Sequence, residues 1–136
     1  MRNVAICTPA AGGPAFGWPS APALVNLGNT LGNLGRHLDA VQAFERALAV
    51  RPDDAKALRN RGTSLRALER PEEALASFDA ALALHPDYPE ALIGRAEALL
   101  TLHRRAQAIE AFQRALPLGK DVDQIRYALA SLGVGE

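Results

Sequence analysis

The chain has 136 residues, one domain's worth on the usual scale of roughly 100–200 residues per domain, and long enough to bury a core without metals or disulfides. Fifteen Lys and Arg balance fifteen Asp and Glu, so the broad basic field of a non-specific nucleic-acid binder is missing. Ala (27) and Leu (20) supply 47 residues while aromatics make up only 5%, a composition that suits packed helices rather than a sandwich or barrel.

Residues 1–20 stand apart. Pro9, Gly12, Gly13, Pro14, Gly17 and Pro19 punctuate them too often for a helix or strand, and Phe16 and Trp18 lie among them. The segment reads as a flexible arm. Its apolar stretch, Val4 to Cys7, ends at Thr8 and Pro9, too soon for a secretory core. Cys7 is the single cysteine, so no internal disulfide can form and a reducing, cytoplasmic compartment is the simpler reading.

From residue 21 the chain repeats every 34 residues. Leu24, Leu58 and Leu92 recur, as do Leu31, Leu65 and Leu99, and Leu34, Leu68 and Leu102. Ala40, Ala74 and Ala108 form a column, followed by Phe44, Phe78 and Phe112, then Ala47, Ala81 and Ala115. Three units result: 21–54, 55–88 and 89–122.

Each unit predicts two helices. In unit one Leu24, Leu27, Leu31 and Leu34 share a helical stripe that Gly35 terminates. Ala40, Phe44, Ala47 and Leu48 mark the second helix, which should stop at Arg51–Pro52–Asp53. Gly28, Gly62 and Ala96 oppose the Ala40 column, so the paired helices can approach closely, and the Phe column should fill the gap against the next unit. Residues 123–136 predict a capping helix with an Ile125, Leu129, Leu132 stripe, a start at Asp121 or Asp123, and a stop at Gly133. Such a cap hides the core face of the last repeat.

This period and these columns resemble the tetratricopeptide repeat over residues 21–122. The resemblance implies an all-α fold: a right-handed α-solenoid of three helix-turn-helix repeats plus a C-terminal capping helix. Two departures are the leucines in both aromatic columns and Lys120 in place of the third proline, which predicts an altered exit from the last repeat. The segment from Asp123 to Tyr127, with Leu129 and Leu132–Gly133, is similar to the stretch before the catalytic domain of repeat-containing S-adenosylmethionine-dependent methyltransferases. An accessory region of such an enzyme is therefore the alternative reading.

The chain carries no catalytic motif. His37, His85 and His103 lack metal-ligand spacing, and there is no Walker loop, GxSxG or GxGxxG. No enzyme activity, metal or cofactor is expected. No run is long and apolar enough for a membrane span. The bias to Arg and Ala fits a GC-rich bacterial source.

The family resemblance implies that the first helices line a concave groove for a protein or peptide ligand. By column, Val25, Asn26, Asn29 and Asn33 face it from unit one. Lys56, Arg59, Asn60, Thr63 and Arg66 do so from unit two, and Glu90, Ile93, Glu97 and Thr101 from unit three. Asn26 and Asn60 are equivalent and resemble the asparagine ladder of O-linked N-acetylglucosamine transferase repeats, which Gly94 interrupts. Amides there would hold a peptide backbone without reading its sequence. Unit two is cationic and unit three anionic along this face, which suits a dipolar peptide or an acidic stretch resting on Arg59 and Arg66. A chaperone-type carboxylate clamp is not expected, because its cation columns hold Val25, Glu90 and Gly94. Neutral charge and the lack of aromatic residues on the inner face argue against RNA. A monomer is favoured, with end-to-end association the alternative.

Overall fold

The computed structural model describes residues 19–134. Among them the chain forms seven α-helices and no strand: α1 (Ala21–Asn33), α2 (His37–Val50), α3 (Ala55–Ala67), α4 (Pro71–Leu84), α5 (Pro89–Thr101), α6 (Arg105–Ala115) and α7 (Val122–Ser131). Helices 1 to 6 form three antiparallel pairs, stacked in order to make an α-solenoid, with α7 against α6.

The hairpins are built alike. After α1 the chain turns through Gly35 at φ 82°, with Arg36 N–H on Leu31 O at 2.8 Å and Gly35 N–H on Gly32 O at 3.0 Å. These paired bonds satisfy carbonyls that the helix end would leave bare. Units two and three make the same closure without glycine: Glu69 (φ 61°) and His103 (φ 62°) adopt the left-handed conformation, at a cost of roughly 1–2 kcal/mol each.

Helix starts differ. Ser20 accepts from Ala23 N–H at 3.3 Å and Asp54 from Ala57 N–H at 3.1 Å, while α5 relies on Pro89 at its first position. The exit of unit three departs from the others, in line with the missing proline. α6 is 11 residues long against 14 for α2 and α4, and passes into a 3₁₀ turn at Leu116–Leu118. Asp121 sits at the N-cap of α7 in a left-handed conformation and makes no side-chain cap, correcting the expectation for that carboxylate.

Phe44, Phe78 and Phe112 are buried at the centre of the three units. The Phe column packs inward as well as onward. Phe44 lies on Gly28 of its own unit, where an added Cβ would sit 2.6 Å from the ring, and Phe78 lies on both Gly62 of its own unit and Gly94 of the next. The apolar interior divides in two. Leu24, Val25, Ala40, Phe44, Ala47 and Ala57 form a small cluster, and a larger one runs from Val41 through Phe78 and Phe112 to Ile125 and Leu129 of α7. The guanidinium of Arg105 donates to Leu132 O and ties α7 to α6. No helix among the described residues is long and apolar enough to cross a membrane.

Candidate functional site

α3 touches both α1 and α5, whereas neighbouring second helices scarcely meet. The first helices therefore crowd together on the inside of a curved stack and the second helices splay outside. The inner face carries most of the polar residues singled out by column, but they do not behave alike.

Asn26 and Asn33 are exposed on α1. Asn29 and Asn60 are brought together: Asn60 Nδ2 donates to Asn29 Oδ1 at 2.8 Å, linking units one and two. Asn60 is 9% exposed, so its role is largely internal and its likeness to Asn26 is only of column. The ladder expected from these amides does not run along the face. At its third rung, a Cβ on Gly94 would lie 2.5 Å from Phe78 Cε1, so the glycine makes room for the ring.

Beside the asparagine pair lies a recess of about 190 Å³. Asn29, Asn33, Arg59, Asn60 and Thr63 line it, with Phe44 and Ser64 at its apolar and hydroxyl walls. His37 reaches it from the start of α2, and its Nδ1 is buried without a hydrogen-bond partner. Such an atom costs free energy unless water or a ligand satisfies it.

The charged residues are partly committed to one another. Arg66 pairs with Glu97 across units two and three at 2.7 Å, so it is not the free cation expected for an acidic ligand. Glu90 pairs with Lys120 at 3.6 Å rather than with Arg59, whose Nε donates to the Tyr88 hydroxyl at 3.4 Å. Lys56 lies apart in an open recess of about 440 Å³ with Asp53, Asp54, His85, Asp87 and Tyr88. Thr63 and Thr101 return their hydroxyls to Arg59 O and Glu97 O, one turn back. Val25 and Ile93, placed in the groove by column, are buried in the two apolar clusters instead. Arg61 and Arg95 lie across the preceding unit's second helix, on Glu45 at 2.9 Å and Asp79 at 2.6 Å.

Four participants in these contacts were not singled out from the sequence. Ser64 (4% exposed) and Ser77 (2% exposed) are polar residues in columns that end in Ala98 and Ala111. Ser77 accepts from Arg61 Nη1 at 3.0 Å. For Ser77 a hydroxyl between Ala43 and Ala111 in its column was the available signal, whereas Ser64 follows Thr30 in its own. For His37 and Tyr88 the repeat gave none, since neither has a like residue in another unit. Among the described residues no three His, Cys, Asp or Glu side chains converge as a metal site. Cys7, Phe16 and Trp18 lie outside the described residues.

Paired helices in register, a crowded inner face and a capping helix define a helical-repeat α-solenoid. Residues 19–87 match one tetratricopeptide-repeat family model and residues 59–123 match a second. The chain belongs to the tetratricopeptide repeat family. No curated protein matches it. Solved structures share its fold at low identity. The first repeat domain of Spaghetti (RPAP3), bound to the HSP90 peptide SRMEEVD, is 21% identical with a TM-score of 0.80, over 84% of this chain and 93% of that one. The second repeat domain of human RPAP3, in complex with the HSP70 peptide SGPTIEEVD, is 23% identical with a TM-score of 0.79, over 85% and 96%. YrrB, a repeat protein described as having an unusual peptide-binding site, is 22% identical with a TM-score of 0.77, over 84% of this chain and 59% of that one.

Proposed function

We propose that this protein is a non-enzymatic interaction module that holds a peptide segment of a partner protein on its inner face, between α1 and α3. The observation that carries the reading is the polar recess lined by Asn29, Asn33, Arg59, Asn60 and Thr63, beside a buried, unpartnered His37 Nδ1. A peptide backbone supplies both donors and acceptors and would meet the accessible amides and the guanidinium. Asn60 is then a positioning residue that fixes Asn29, and Asn26, Arg66, Glu90 and Glu97 flank the ligand's path, with Lys56 set apart from it.

Fold neighbours that hold peptides support the class of ligand. The cation columns of a carboxylate clamp are Val25, Glu90 and Gly94 here, so the proposed ligand is an internal segment rather than a chain terminus. A bacterial, cytoplasmic and monomeric adaptor is the accompanying reading, with no nucleic acid and no membrane partner. It rests on the Arg and Ala bias, the single cysteine and the neutral charge. The alternative, an accessory region of a methyltransferase, draws on α7, whose Ile125 and Leu129 are already used in closing the array.

Selection of a displayed random peptide library on the full chain tests the proposal. Enriched peptides should bind with a Kd on the order of micromolar, about −8 kcal/mol. Arg59→Glu together with Asn33→Ala should abolish that binding at an unchanged Tm. Absence of enrichment, or binding indifferent to the double variant, refutes the site.

A further inference from the structure

The two ends of the solenoid are finished differently. At the C-terminal end α7 lays Ile125 (0% exposed) and Leu129 (7%) on unit three. At the N-terminal end, among the described residues, nothing plays that part. Leu27 is 47% exposed, Leu34 68% and Leu38 48%, and Leu31 is only half-buried although its counterparts Leu65 and Leu99 are 1% and 0% exposed. Leu24, Leu27, Leu31 and Ala43 line a groove of about 200 Å³ there, bordered by Gln42, Arg46 and the mutually paired Arg36 and Asp39. The column of Leu27 is informative. Its counterparts Arg61 and Arg95 reach a carboxylate on the preceding unit's second helix. Unit one has no preceding unit among the described residues, and its residue in this column is apolar. The face is therefore fitted to an apolar occupant rather than to another polar helix.

We propose that the chain's own residues 14–18 occupy this groove, with Phe16 and Trp18 against Leu24, Leu27 and Leu31. Residues 3–18 carry no charged side chain, so burying them strands no ion. The reach suffices. Leu27 lies about 10 Å along α1 from Ser20 at 1.5 Å per residue, and the four steps from Ser20 back to Phe16 span up to about 14 Å. Gly17 and Pro19 suit the reversal this path needs. Arg46, on the groove's rim, forms no ion pair among the described residues and can lie over an aromatic face. A second copy is the weaker fit. Stacked head to tail it would bring exposed Asp123, Gln124 and Arg126 of α7 against the leucines, with exposed Tyr127 the one large apolar ring among them. A tethered segment also competes at an effective concentration on the order of millimolar.

Trp18 is the single tryptophan, so its emission reports on the groove directly. In the full chain it should be blue-shifted and shielded from acrylamide relative to the urea-unfolded chain, and unchanged on roughly hundredfold dilution. Leu27→Asp should return both readings to the unfolded values while helical circular dichroism is kept, and Leu84→Asp, on an exposed leucine of α4, should leave them alone. A native Trp18 as quenchable as in urea overturns the proposal whether or not Leu27→Asp folds. A blue shift that disappears on dilution also overturns it, in favour of a second copy, as does a shift that survives Leu27→Asp.

Discussion

The junction of units one and two and the junction of units two and three use the same columns to opposite effect. At the second junction Phe78 spans Gly62 and Gly94, the core runs without a break into unit three, and Arg66 and Glu97 close the inner edge. At the first, the position matching Gly94 is Asn60. Phe44 has Gly28 beneath it but an amide rather than a glycine on the next unit, and the apolar clusters part there. The amide turns to Asn29, and a polar recess opens beside the pair. One column thus decides whether an inter-repeat contact is sealed core or open groove. The reason is steric and dielectric together. A glycine admits a ring, while an amide excludes it and brings hydrogen-bonding groups that have to be satisfied.

The largest test of this contrast truncates the rings. Phe78→Ala should cost about 3–5 kcal/mol in urea denaturation, and Phe44→Ala less, since the polar recess beside Phe44 already limits its apolar contacts. Equal losses would remove the energetic distinction between the junctions. Next comes the glycine. Gly94→Ala forces Phe78 to move and should destabilise by roughly 1–3 kcal/mol. Gly32→Ala has only ordinary contacts ahead of it, the nearest Ser64 Oγ at 3.8 Å, and should stabilise by about 0.4–1 kcal/mol. Paired thermal melts check the opposite signs. The smallest effect belongs to the amides. Asn60→Ala should cost about 0.5–1.5 kcal/mol, and a double-mutant cycle with Asn29→Ala should show that the two changes are not additive.

Much of the architecture was legible in the 34-residue period. The hairpins, the order of the six paired helices, the Ala and Phe columns and the closing stripe of Ile125 and Leu129 all follow from helical spacing repeated three times. The inner face was legible as a set of columns but not as a site. Val25 and Ile93 fall in a groove column, yet an apolar side chain next to an inter-repeat seam goes into the core when the neighbouring helix leaves room. Arg66 and Glu97 read as separate charges because their meeting depends on how far α3 and α5 are offset. His37 and Tyr88 recur in no other unit, so periodicity could not mark them.

By itself the sequence determined the class of structure, because burial of a fixed set of apolar columns requires each unit to pair its two helices and lean on the next. The tertiary structure alone decided which inner polar groups are consumed and which stay open. Asn60 is spent on Asn29 and Arg66 on Glu97, while Asn26 and Asn33 remain exposed. Those outcomes turn on side-chain distances across unit boundaries, and a difference of a few ångströms separates a made hydrogen bond from an available one.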